Sequence, residues 1–197
     1  MVLRLTLVCQ APTRANRIAL FPADEPLDDP GLEQARAMSA RFNDRARCLR
    51  SPALAAQQTA EALRLPAESE SDLRECDYGR WAGRSLETVQ ADDPVGMAQW
   101  LRDPASCPHG GESLLALLAR VAAWLDGLRG QSDQIVAITH ASVVRAAIVA
   151  ALGSPPPAFW RIDIAPLSVT KLTCNGILWT LVAANERLRR SEFSSPI

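Results

Sequence analysis

The sequence predicts an α/β fold, a three-layer α/β/α sandwich with a mostly parallel central sheet. Three observations carry this. Strand signals alternate with helix signals along most of the chain, the pattern of strand–helix–strand units. Two of the strands run directly into polar residues, at Cys9-Gln10 and at Thr139-His140, as strands do when their C-terminal ends open on a ligand crevice. A chain of 197 residues, 48% hydrophobic and 22% charged, is long and apolar enough for one domain with a sizeable core.

The elements follow in order. "VLRLTLVC" reads as a strand, with Leu5, Leu7 and Val8 buried. "DDPGLEQARAMSARF" reads as a helix entered through Asp29 and Pro30, with Leu32, Ala35, Met38 and Phe42 on one face. "ARCLRS" is a short strand stopped by Pro52, and "ALAAQQTAEALRL" a helix ending before Pro66. From about residue 70 to 111 the chain is rich in Asp, Pro and Gly and reads as less regular. "ESLLALLARVAAWLDGLRG" is an amphipathic helix with Leu114, Leu118, Val121, Leu125 and Leu128 on one side and Gly130 as its stop. "QIVAITH" is a buried strand, followed by the helix "ASVVRAAIVAALG". "LSVTKLTC" and "ILWTLVAA", split by Asn175-Gly176, form a hairpin signal. A single domain is expected over 1–185, with an exposed polar tail over 186–197.

Composition narrows the function. A net charge of -1 gives no general attraction to nucleic acid or to an anionic membrane. No apolar run approaches the roughly 20 residues of a membrane-spanning helix. The five cysteines form no C-x-x-C pair, and with two histidines they make no zinc pattern. A reducing cytoplasm is the simplest setting, and neither metal nor cofactor is expected.

Seven motifs recur in a fixed order. Thr13 and Asn16 fit an "RHGxTxxN" spacing, and "PLDDPGLEQA" is similar to "PLTxxGxxQA". "SPALAAQQTAEAL" is similar to "SPLxRAxQTAxxL", and "LRECDYGRWAGRSLETV" to "LxExxxGxWEGxxxxEV". "PHGGES" fits "PxGES", "AITHASVVRAAI" fits "VTHGGVIRAL", and "LSVTKL" is similar to a late "NxSVTxL" strand. In this order and spacing the chain resembles the histidine phosphatase superfamily, in its phosphoglycerate-mutase-like branch, from about residue 3 to about residue 185.

The resemblance implies covalent phosphoryl transfer through a strand-tip His, with two Arg and a second His as clamp and a Glu as proton donor. Carried over by position, His140 falls on the second His and Glu75 on the acid, with Tyr78 and Gly79 beside it. Thr13 and Asn16 fall on substrate-side positions. Six positions depart: Cys9 stands for the first Arg, Gln10 for the nucleophilic His, Ala11 for the Gly, Ala55 for the helix Arg, Ala141 for the Gly after the second His and Ala82 for the Glu of "WEG". A carboxamide hydrogen-bonds but is neither nucleophilic nor basic.

Three functions are expected, in this order. The first is a degenerate pseudoenzyme or ligand-binding module retaining a small-molecule pocket. The second is a repurposed enzyme using Glu75 and His140 as acid–base groups on a substrate without phosphate. The third is a weak phosphomonoesterase or mutase, acting through Cys9 or direct water attack. The residues expected at the site are His140 and Glu75, with Gln10, Cys9, Thr13, Asn16 and Arg50 touching a small, anionic ligand. Arg50 is a candidate replacement cation, and Arg14 a weaker one. His109 is read as a surface-loop residue near the pocket mouth, and Trp81 as packing or pocket wall. Homo-oligomerisation is left open.

Overall fold

The computed structural model describes residues 2–39, 46–131 and 134–187. Phe42, expected on a helix face, lies outside them. Six strands form one mixed sheet in the order β3-β2-β4-β1-β5-β6. They are β1 (Leu3–Cys9), β2 (Arg47–Arg50), β3 (Glu68–Ser69), β4 (Gln134–Thr139), β5 (Ser168–Cys174) and β6 (Trp179–Arg187). β1, β2, β3 and β4 are mutually parallel, and β5 runs antiparallel to both β1 and β6.

The period-2 alternation of β1 divides the core. Leu3, Leu5, Leu7 and Cys9 face helices α6 (Leu114–Gly127) and α7 (Ala141–Ala151). Val8 points the other way, to Ala56, Ala60 and Leu63 of the α3 region (helix Leu54–Ala62). The sheet is therefore covered on both faces, as a mostly parallel sheet requires. On α6 the buried stripe runs through Leu114, Leu117, Val121 and Trp124, with Leu118 only partly buried.

Short helix α1 (Arg14–Arg17) follows the first strand. α2 (Asp29–Arg36) starts one residue earlier than its Pro30 signal implies, with Asp28 as N-cap accepting from Gly31 N–H at 2.7 Å. The irregular reading of 70–111 is corrected in part. It holds α4 (Leu86–Asp92), capped by Ser85 on Thr88 N–H, and α5 (Pro94–Arg102), capped by Asp93 on Gly96 N–H. The loop of the hairpin is held by Asn175 Oδ1, which accepts from Ile177 and Leu178 N–H. β6 runs to Arg187 and takes Glu186 and Arg187 from the stretch read as tail, Lys171 bridging to Glu186 across the ladder. No described helix is long and apolar enough to cross a membrane.

Candidate active site

Parallel pairing of β1 with β4 sets Cys9 opposite Thr139, so both strands end on the same crevice. The β1 tip is held by backbone bonds: Gln10 N–H donates to Thr139 O at 2.7 Å, and Ala11 N–H donates to Thr59 Oγ1 at 3.0 Å. Thr139 Oγ1 in turn donates to Leu73 O at 2.7 Å, joining β4 to the segment that carries Glu75. Past the tip, Thr13 and Asn16 form a capping box on α1, and Thr13 Oγ1 also donates to Glu25 at 2.7 Å. Two residues read as ligand contacts therefore also build the first helix.

His140 is the backbone N-cap of α7, but its imidazole caps nothing. Its Nε2 shares a 2.8 Å hydrogen bond with Ser51 Oγ, and its Nδ1 lies 3.6 Å from Glu75 Oε2, too long for a hydrogen bond. Burial pushes its pKa below the ordinary 6.5, with Glu75 opposing and not prevailing. The ring is neutral at pH 7. Nδ1 is buried without a hydrogen-bond partner. Glu75 accepts from Ser142 Oγ–H and from Cys76 N–H at 2.8 Å.

A cavity with two lobes lies over these residues. Gln10, Asn16, Glu75 and Tyr78 border both lobes. One lobe, ≈ 250 Å³, extends over Cys9, Ser142 and Arg145 toward Ile164. The other, ≈ 270 Å³, extends over Thr13, Ala55 and His140 toward Asp24, Glu25 and Asp77. Arg145 is the only arginine or lysine among the described lining residues, and only in the first lobe. Its Nε is buried without a partner, its Nη2 is 3.9 Å from exposed Asp163, and its Cζ stands 5.7 Å over the Phe159 ring.

Cys9 is 3% exposed, and burial, helped by the Glu75 charge, pushes its thiol up to about 12. It is a neutral thiol at physiological pH, and thiol nucleophiles act as thiolates. Arg50 lines neither lobe: its guanidinium donates to Ser51 O at 3.0 Å, because the β2 end turns the side chain back along its own backbone. Arg14 is exposed on α1 and also lines neither lobe.

His109 is not at the surface. It is 1% exposed, its ring centroid 5.1 Å from Trp81, with Nδ1 accepting from Gly111 N–H at 3.1 Å. Trp81 is fully buried in an aromatic cluster with Phe21 and Trp100 and walls neither lobe. Glu112, read as a helix-start carboxylate, pairs with Arg120 through two bonds of 2.8 and 2.7 Å, while Ser113 caps α6. Among the described residues no cluster of three or more His, Cys, Asp or Glu could hold a metal ion.

Sequence reading missed Ser51, Ser142 and Arg145. The last two had a usable signal, since both sit in the first turns of a helix that opens at a strand tip. Ser51 had none beyond adjacency to Pro52.

The chain belongs to the histidine phosphatase superfamily (branch 1), which matches residues 5–187. It is 27% identical over 170 residues to phosphoserine phosphatase 1 of Hydrogenobacter thermophilus, covering 81% of each chain. The structure of a putative alpha-ribazole-5'-P phosphatase from Escherichia coli superposes with a TM-score of 0.84 at 26% identity, covering 94% of this chain and 97% of that one. A mycobacterial glucosyl-3-phosphoglycerate phosphatase complexed with VO3 superposes with a TM-score of 0.81 at 25% identity, covering 93% and 98%. These relatives are phosphatases by name. They overturn the expectation of a degenerate pseudoenzyme or ligand-binding module, and equally that of an enzyme moved to substrates without phosphate. The substituted positions misled because they show losses at fixed points, whereas the fold places Arg145 in the lobe that Cys9 and Gln10 border.

Proposed function

We propose that the chain is a phosphomonoesterase that hydrolyses a small phosphate ester by direct attack of water. The observation that carries this reading is the position of Glu75 at the junction of two lobes, one of which holds Arg145. The phosphoryl group sits in the Arg145 lobe, where the guanidinium and the first N–H groups of α7 meet its negative charge. The alcohol portion occupies the other lobe, so the scissile P–O bond lies beside Glu75. The water oxygen attacks phosphorus as the ester P–O bond breaks. Glu75 takes one water proton and passes it to the departing oxygen, while the other stays on the new P–OH, giving alcohol and hydrogen phosphate. Ser142 and Cys76 N–H orient the carboxylate, and neutral His140 stands beside it.

The neutral Cys9 thiol favours water over sulfur as the attacking atom. Gln10 hydrogen-bonds at the junction without itself attacking.

The test is release of inorganic phosphate from a panel of small phosphomonoesters by purified protein. Glu75→Gln is expected to lower kcat by about 10²–10⁴-fold, and Arg145→Gln to lower kcat/KM by about 10²-fold or more. Cys9→Ser is expected to keep activity. Absence of phosphate release from every ester overturns the reading, and loss of activity in Cys9→Ser moves the nucleophile to sulfur.

A further inference from the structure

One wall of the Arg145 lobe is the short segment 162–167 that leads into β5. Ile164 and Pro166 border the lobe, and Asp163 is the acid 3.9 Å from Arg145 Nη2. The end of the segment is fastened to the tip of β1. Leu167 N–H is shared between Cys9 O at 3.1 Å and Gln10 O at 3.2 Å. Leu167 does this at φ +56°, a left-handed conformation that is unfavourable for leucine. Such a conformation persists only where the surroundings hold it. Packing of the Leu167 side chain with Ala11, Ala35 and Ala62 holds one end.

The middle of the segment is held from β6. Val169 pairs with Glu186 and Lys171 with Ala183, so Ala184 and Asn185 together stand against Thr170 alone. This is a β-bulge, a device that re-aims a side chain out of the regular ladder. Asn185 has φ +54°, which asparagine tolerates better than most residues. Its N–H donates to Thr170 Oγ1 at 3.3 Å, and its Oδ1 accepts from Ala165 N–H at 2.8 Å. Among the described residues no other side chain hydrogen-bonds to the backbone of 164–167.

We propose that Asn185 is a positioning residue for the reaction, acting through Ala165 on the wall formed by Ile164 and Pro166, and through Leu167 on the tip of β1. This rests on the phosphomonoesterase reading for the place of the phosphoryl group in the Arg145 lobe. Asn185 lines neither lobe and touches no reacting atom. Its carboxamide fixes the backbone midway between the acid beside Arg145 and the bond to the strand tip. Without that acceptor Ala165 N–H loses its partner, and the wall and the Leu167 bond are free to shift together. A displacement of about 1 Å in a positioning group can cost on the order of 10²-fold in rate.

The test compares three variants of the full chain. Asn185→Gly keeps the left-handed backbone and removes the acceptor, whereas Asn185→Asp keeps an acceptor. Leu181→Ala truncates a partly buried β6 side chain that packs on the core and has no bond to the segment. Each is measured for kcat and KM on p-nitrophenyl phosphate per folded molecule, for urea midpoint, and for hydrogen exchange at the Leu167 amide. Asn185→Gly is expected to lower kcat by about tenfold or more with a smaller change in KM, and to speed exchange at Leu167. Asn185→Asp is expected to stay within about threefold of wild type and to keep the slow exchange. Leu181→Ala is expected to lower the urea midpoint and leave kcat and KM unchanged. Unchanged kcat in Asn185→Gly overturns the proposal, as does an equal loss in Asn185→Asp or in Leu181→Ala. If the wild type releases no phosphate from any ester, the phosphomonoesterase reading fails and the exchange comparison still decides the coupling. Equal exchange at Leu167 in Asn185→Gly and wild type overturns it, and faster exchange leaves it standing.

Discussion

The two histidines occupy regions that share burial and little else. Both imidazoles are nearly inaccessible, and burial holds both below their ordinary pKa. His140 stands at a strand tip and borders the cavity, with one nitrogen on Ser51 and the other 3.6 Å from Glu75 Oε2. His109 is packed on Trp81 and Tyr78, and its Nδ1 closes a turn through Gly111 N–H. The same side chain in the same degree of burial is a candidate site group in one place and a loop pin in the other. Burial and a shifted pKa do not distinguish them. The open volume beside the ring does.

Four experiments would break or sharpen that contrast. The largest effect is expected at the His109 loop. Gly79 has φ +45°, and a Cβ there would stand 2.2 Å from His109 O. Gly79→Ala combines left-handed strain with a backbone clash and is expected to destabilise by about 3–5 kcal/mol, read as a shift in urea midpoint. A shift below 1 kcal/mol would mean that the loop is not a pinned unit.

Next comes His140→Gln, which keeps a hydrogen-bonding group for Ser51. It is expected to lower phosphatase kcat/KM by about 10²-fold with little change in stability. His109→Gln should do the reverse, destabilising by about 1–3 kcal/mol while the remaining folded protein turns over normally. Similar activity losses in both variants would abolish the distinction between the two regions.

The third effect is pH-dependent. The unfolded chain takes up protons near the ordinary His value of 6.5, whereas the folded chain, with both pKa values lowered, refuses them until a lower pH. Stability is therefore full above that value and falls as pH drops through it. The fall should be shallower in the double variant His109→Gln/His140→Gln, measured by urea melts at pH 7.5 and pH 5. Parallel curves would mean that other groups carry the acid loss. The smallest effect is expected for Arg50→Ala. Arg50 touches neither lobe, so stability should move within about 0.5 kcal/mol and activity not at all. A large activity loss would place its guanidinium at the substrate.

The sheet was legible because its main strands carry apolar residues in alternation or in short runs, and several of its helices begin or end near Pro and Gly. Leu5, Leu7 and Val8 alone separate the two faces. The helices over Leu86–Asp92 and Pro94–Arg102 were hidden by short length and charged surroundings, although Ser85 and Asp93-Pro94 are ordinary N-terminal signals. At the site, His140 and Glu75 could be placed from motif order. The functional class was read wrongly from Cys9, Gln10 and Ala55, because a replaced residue shows in a sequence at once, whereas the cavity wall that Arg145 joins is assembled only by the fold. Arg145 reaches the cavity from within α7, and Asp24, Glu25 and Asp77 come from loops separated by about fifty positions. Only folding brings them to one wall.

The bond between Arg120 and Glu112 has a consequence far from its own location. Arg120 also donates to Asp72 O at 2.6 Å and to Arg74 O at 3.1 Å. The backbone just before Glu75 is thereby fastened to the middle of a fourteen-residue helix. A carboxylate on such a mounting keeps its aim between encounters, so a substrate meets a group that has already surrendered its orientational freedom during folding.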